Sequence, residues 1–174
     1  MEEGFHPEFI VLVDALQIAG HPGRLVRALA LLRTRFPQSL IWCPAISGPD
    51  NLALLTWFGV DLHDLSRAQQ ASVRNVLLTA SGPREPLEEV GESAEMADQL
   101  GEWQREVSAV KVALANGSLR ELVEKRALHA PRLVERLRHH DQLMRAALSL
   151  EVAQQEGLDE EAISVSQSLA GSPL

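Results

Sequence analysis

The sequence predicts an α/β protein built on parallel strands, and three observations predict it. Two short, continuous apolar runs rich in branched residues, FIVLVDA at 9–15 and SLIWCPAI at 39–46, have the length and composition of buried strands. Between them, and again after the second, apolar residues recur at helical spacing. Strand, helix, strand, helix, strand is the order of parallel strands joined by right-handed crossovers.

Each element carries its own signature. FIVLVDA carries an acid, Asp14, near its end and is expected to be buried on both faces. In the helix that follows, Pro22 suits the first turn, where its missing amide proton costs nothing. Leu25, Val26, Leu29, Leu32 and Phe36 form its inward stripe, and Arg24, Arg27 and Arg35 can face water. After SLIWCPAI, Pro49-Asp50-Asn51 opens the helix NLALLTWF, which Gly59 terminates. GVDLHD begins a third strand, and VRNVLLT at 73–79 offers a fourth.

The composition then shifts. From Pro83 to Glu106 eight acids face two arginines, which reads as a solvated linker giving way to a helix. From about Ala94 onward the pattern is helical, with Val107, Val110, Ala113 and Leu114 on one face and Gly117 closing the helix. Ser118 and Glu121 form a capping-box pattern that restarts it, and Pro131 opens a last segment with Leu133, Val134, Leu137 and Leu143 inward. The organisation expected is an α/β part at 1–82, an acidic linker at 83–100, a helical closure at 101–156 and a tail free to fray at 157–174.

A chain of 174 residues with 45% hydrophobic content is sized for one core. Its net charge of -8 repels phosphate over the molecule as a whole, so tight autonomous binding to nucleic acid is not the default reading. The one cysteine, Cys43, supports neither an internal disulfide nor a multi-thiolate zinc site, fits a reducing compartment, and inside its apolar run reads as a small hydrophobe. No cofactor or resident metal is expected. No stretch approaches the length needed to cross a bilayer, and a cytoplasmic protein is the simplest reading.

The candidate chemistry lies in WFGVDLHDLSRA at 57–68, where Asp61 and Asp64 flank His63. Carboxylates at the carboxyl ends of parallel strands are where α/β barrels keep catalytic groups, although acids at strand ends also cap helices and satisfy loop amides. The run PAISGPDNLALLTWFGVDLHD at 44–64 resembles the late-barrel segment of the tRNA-guanine transglycosylase family, especially its archaeosine-type branch. The resemblance extends back to VDALQIAGHPGRLVRALALLR and forward to ALANGSLRELVEKRALHAPRLVERLRHHD, covering most of residues 9–141.

That resemblance implies half of a TIM-barrel-like parallel sheet followed by a helical C-terminal part. It implies that Asp64 is the catalytic nucleophile. In the family this carboxylate attacks ribose C1′, releases guanine, and holds the sugar until a 7-deazaguanine base replaces it; two displacements take the place of one hard exchange. Asp61, earlier in the motif, is expected to hold the strand end. The resemblance also implies tRNA as a partner.

The departures from the family pattern matter as much. Only eight residues precede Phe9, where the family has a first barrel half carrying a second catalytic aspartate and the base pocket. The family's zinc-site cysteines have no counterpart in the acidic linker, and LGEWQ supplies Glu102 and Trp103 where a histidine is expected. His63 stands where an aromatic residue usually precedes the nucleophile, a change that alters how the carboxylate is buried; as a lone histidine near a strand end it reads first as a hydrogen-bonded structural group.

His139, His140 and Asp141 read as a solvated helix face, since adjacent side chains diverge. Between Ser118 and Arg145 seven cations against four acids leave +3, which fits an RNA-tracking patch and surface ion pairs equally. Two functions stand. One is a base-exchange enzyme completed by a second transglycosylase-like subunit or another copy of this chain. The other is a non-catalytic interaction module on the same scaffold.

Overall fold

The computed structural model describes residues 6–155. Strand β1 (Phe9–Val11) pairs in parallel with β2 (Leu40–Trp42), in the register Phe9 with Leu40, Ile10 with Ile41 and Val11 with Trp42. Between them run the short helix α1 (Ala15–Ile18) and α2 (Pro22–Arg35), so the expected β-α-β alternation is present. Helix α3 (Leu52–Trp57) follows β2, and Gly59, at φ 91, turns the chain back. The returning segment lies parallel to β2: the amides of Asp61 and Leu62 both donate to the Ile41 carbonyl, at 2.9 and 3.1 Å, and Leu62 bridges Trp42. The class is α/β, with small sheets and helix predominating.

The two faces of this parallel sheet are treated differently. Ile10 and Ile41 point toward the helices, where Ile41 is fully buried with Leu25, Val26 and Leu29 of α2 and Leu52, Leu54 and Leu55 of α3. Strand pleating puts Phe9, Val11, Leu40, Trp42 and Leu62 on the opposite face. There Phe9 is 45%, Leu40 49% and Leu62 42% exposed, and the rings of Phe9 and Trp42 stack at 6.4 Å. The expectation that FIVLVDA is buried on both sides is therefore corrected. A continuous apolar run records how much surface wants covering; here helices cover one side only.

The fourth parallel strand is also corrected. Ser66–Val73 is helix α4, Asn75 adopts a left-handed turn at φ 55, and only Leu77–Thr79 is extended, as β3. It pairs antiparallel with β4 (Gly82–Arg84) in a separate two-stranded sheet. The run was ambiguous because a short apolar stretch has no period of its own. Residues 83–100, expected as a linker, hold β4, a single 3-10 turn at Glu88–Val90 and the start of α5 (Met96–Ala115). Buried Gln99 of α5 fixes β3 by accepting from the Leu78 amide and donating to the Val76 carbonyl.

Helices α6 (Leu119–Ala127) and α7 (Pro131–Gln155) complete the described chain, and α7 packs along α2. The inward face of α5 carries Gln99, Trp103, Glu106, Val110 and Ala113; Leu114, expected inward, is exposed. Buried Glu106 takes both forks of Arg126 from α6, the pairing that lets a carboxylate sit inside. Helix α6 starts at Ser118 as the capping-box pattern indicates, but Ser118 makes no side-chain cap bond. Val110, Val123, Leu133 and Leu137 share one core with Leu25 and Leu55, so sheet and helices are packed together. The expected tail at 157–174 lies outside the described residues. Among those described, no helix is long and apolar enough to cross a membrane.

Candidate functional site

The third strand segment, Val60–Leu62, carries Asp61, with Asp64 two residues beyond it, and the two acids lie at opposite ends of the sheet. Asp61 sits at the amino end. Its Oδ2 accepts the Ile41 amide at 2.7 Å and pairs with the guanidinium of Arg33, which also donates to the carbonyls of Gly59 and Ser39. One arginine at the end of α2 thus ties two strand starts together, and Asp61 holds a strand end as expected.

Asp64 lies at the carboxyl end. Its Oδ2 accepts the Trp42 indole N–H at 3.0 Å and the Ala45 amide at 2.9 Å, and its Oδ1 accepts the Ser66 amide at 2.9 Å. The last bond is an Asx turn leading into α4. Burial pushes the carboxyl upward, but the bonds from Ser66, Ala45 and Trp42 outweigh it and hold Asp64 below the usual carboxylate range. It is therefore an anion at neutral pH, held by neutral donors. Oδ2 holds the Trp42 and Ala45 bonds, and Ser66 gives the carboxylate both its amide, on Oδ1, and its hydroxyl. Ala45 reaches it from a left-handed conformation, φ 61, uncommon for a residue with a Cβ.

His63 is locked between hydroxyls. Its Nδ1 lies 2.8 Å from Ser47 Oγ and its Nε2 3.3 Å from Thr56 Oγ1. Burial lowers its pKa to about 4 despite the opposing pull of Asp61 and Asp64, so at neutral pH the ring is neutral and joins the third strand to α3. This is the structural histidine that the sequence suggested. Cys43 is fully buried, and burial pushes its thiol up to about 12.

His140 departs from the solvated-face reading. Its ring stacks on Phe58 at 4.9 Å, burial lowers its pKa, and the adjacent Asp141 is taken bidentately by Arg120 at 2.6 and 2.8 Å. Among the seven cations of the helical part, Arg120 and Arg126 are thus committed to ion pairs.

Two residues that sequence reasoning passed over shape the surroundings of Asp64. Arg67, three residues on, grips Asp50 with two parallel bonds of 2.6 and 2.7 Å. Gly48 lies beneath them: a Cβ there would come within 2.6 Å of both Arg67 and Asp50. The sequence signal was an Asp-Asn pair at a helix start, read only as a cap. Asn51 instead accepts the Gly48 amide and donates to the Ile46 carbonyl, pinning the same turn.

No family model and no solved structure matches the chain. Over 76 residues it is 28% identical to archaeosine synthase subunit alpha of Methanosarcina acetivorans, a stretch that covers 43% of this chain and 12% of that protein. A partial likeness to a subunit of an archaeosine-forming enzyme is thus what the comparisons add to the geometry.

Proposed function

We propose that this chain is a tRNA-guanine transglycosylase-like component of 7-deazaguanine modification of tRNA, and that it works with a partner polypeptide. The observation that carries this reading is the bare apolar face of the parallel sheet with an ionised carboxylate at its carboxyl rim. Trp42 belongs to both: its ring lies on the bare face and its N–H reaches Asp64. In a barrel that face would be the interior, and carboxyl-end acids would be the reacting groups. The partial likeness to an archaeosine synthase subunit supports the same substrate class. The partner is a second transglycosylase-like subunit or another copy of this chain, offering a complementary apolar sheet face.

In this reading an Asp64 carboxylate oxygen forms a bond to ribose C1′ while the glycosidic bond breaks and guanine leaves with the bonding electrons, its glycosidic nitrogen taking a proton from solvent. A 7-deazaguanine base then attacks C1′ through its glycosidic nitrogen, giving up the proton there to solvent, and the carboxylate departs with the electrons of its bond to C1′. One observation favours the second reading, a non-catalytic module on this scaffold: both Asp64 oxygens already have donors.

The test is covalent trapping. The chain is incubated with a tRNA transcript and a 7-deazaguanine base, alone and with a transglycosylase-like subunit, as wild type and as Asp64→Asn. An adduct that requires Asp64 supports the enzyme. No adduct under any condition leaves the module reading. Leu62→Lys, on the bare face, is expected to abolish adduct formation and partner binding together while the isolated chain stays folded.

A further inference from the structure

A cleft of about 430 Å³ opens where the β2–α3 turn, the β3–β4 hairpin and the α6–α7 junction converge. Ala45, whose amide is given to Asp64, is one of its walls, and the Asp50–Arg67 pair is another. Arg132 and Arg136, from the first turns of α7, enter from the far side. Three arginines against one carboxylate leave two positive charges uncompensated in a chain whose net charge is -8.

Neither surplus cation forms an ion pair among the described residues, although Asp50 and Glu135 both pull on Arg136. Arg132 is exposed and has no hydrogen-bond or ion-pair partner among the described residues. Arg136 donates one Nη2 bond to the Ala19 carbonyl, while its Nε is buried without a hydrogen-bond partner. His129 Nδ1, in the same wall, is likewise buried and unpartnered. Buried polar atoms without partners are rare in folded proteins, and two of the four among the described residues, Arg136 Nε and His129 Nδ1, belong to side chains that line this cleft, whereas Trp57 Nε1 and His140 Nδ1 do not. Burial, then the neighbouring Arg132 and Arg67, hold the Arg136 guanidinium below its ordinary range. Like charges crowded together in this way are stabilised by an incoming anion.

We propose that this cleft binds the phosphate group of a nucleotide, with Arg132 and Arg136 as its ligating cations and Arg67 held in place by Asp50. Guanidinium forks match phosphate geometry, and the two cations balance a phosphomonoester of roughly one and a half to two negative charges at neutral pH, or exceed by one the single charge of a phosphodiester in RNA. The walls beside them include Leu16, Ile46 and Leu133, apolar surface for a base or ribose, and the volume lies within the range of small-molecule sites. The phosphate comes from a free nucleoside monophosphate or from a nucleotide within an RNA strand. Neither source requires Asp64 to react, so the proposal goes beyond the transglycosylase reading.

Binding to the full chain is measured by calorimetry with GMP, inorganic phosphate and uncharged guanosine, and by anisotropy with a labelled single-stranded RNA, at low and moderate salt. GMP or the RNA is expected to bind in a salt-dependent manner while guanosine does not. Arg132→Gln should weaken binding by about tenfold, the scale of one charge-assisted hydrogen bond, and Lys111→Gln, exposed on α5 outside the cleft, should leave it unchanged. Arg136→Gln should act in the same direction, but Arg136 also holds Ala19, so Arg132 decides. Binding of GMP assigns a free nucleotide; binding of the RNA alone assigns a polynucleotide. If neither binds, or if Arg132→Gln and Lys111→Gln bind like wild type, the site does not exist as described. Repeating the titration with Asp64→Asn separates the two ideas, because nucleotide binding that survives there is independent of any failure to trap an adduct.

Discussion

The two ends of the parallel sheet carry the same functional group, three residues apart in sequence, in opposite electrostatic settings. At the amino end Asp61 faces a guanidinium that also bonds the carbonyls of Gly59 and Ser39, so its charge is neutralised and its geometry serves the strands. At the carboxyl end Asp64 meets only neutral donors, three N–H groups and the Ser66 hydroxyl, which keep it ionised without cancelling its charge. Spacing alone could not separate them. What separates them is the direction of the strand: its amino end abuts the last turn of α2, with Arg33, while its carboxyl end opens beside a cleft with surplus positive charge.

The largest expected effect breaks the amino end. Arg33→Met keeps most of the apolar stem but leaves Asp61 unpaired and removes donors from the Gly59 and Ser39 carbonyls. Unmade bonds of this kind cost roughly 1–3 kcal/mol each, so a loss of about 4 kcal/mol in urea unfolding is expected. If Arg33→Met unfolds within about 1 kcal/mol of wild type, the hub is not structural. Gly59→Ala is expected to be as damaging, since φ 91 disfavours any Cβ and a Cβ there would sit 2.5 Å from Arg33 Nε.

His63, between the two acids in sequence, sets a pH dependence. Its folded pKa of about 4 lies below the ordinary 6.5, so between those values the unfolded chain binds a proton that the folded chain refuses. Above 6.5 both states are neutral and nothing changes; as the pH falls from 6.5 toward 4, stability is lost, by up to about 3 kcal/mol at the lower end. His63→Gln has no such proton to refuse, so its melting temperature should vary less through this window. Equal pH profiles for wild type and variant would show that the buried ring is not the group responsible. Acid losses attributable to Asp64 begin lower, below its ordinary 3.8, because its folded pKa is depressed.

The contrast between the ends also explains what could be read from the sequence. The alternation of elements was legible because it rests on local features: Pro22 at a helix start, Asn51 before α3, Gly59 and Gly117 after helices, and Pro131 opening α7. The placing of Asp61 and His63 as structural groups was legible from their position at a strand end. The bare face was not, because FIVLVDA and SLIWCPAI give the same apolar signal whether a helix, a partner or solvent lies opposite. Nor was the cleft, since Arg67, Arg132 and Arg136 come from two helices far apart in sequence and meet only through tertiary packing. The half-barrel of the resemblance depends on strands beyond β1, β2 and the Leu62 bridge, and local patterns carry no information on that closure.

The smallest effect on stability sharpens the comparison most. Asp64→Asn keeps the shape of the side chain, but an amide offers a single acceptor oxygen where the carboxylate serves three N–H donors and the Ser66 hydroxyl, which can itself turn to accept from the new amide. With the amide nitrogen turned toward Ser66, the Trp42 and Ala45 bonds survive and one donor is left without an acceptor, at a cost of about 1 kcal/mol. The opposite flip would strand two donors and is disfavoured. The variant should therefore unfold close to wild type, well short of the loss in Arg33→Met, and it should no longer form any adduct that depends on a carboxylate. If Asp64→Asn proved as destabilising as Arg33→Met, the two ends of the strand would be equivalent structural anchors. The case for Asp64 as a reacting group would then lose the distinction on which it rests, since a group that the fold cannot spare is already accounted for by the fold.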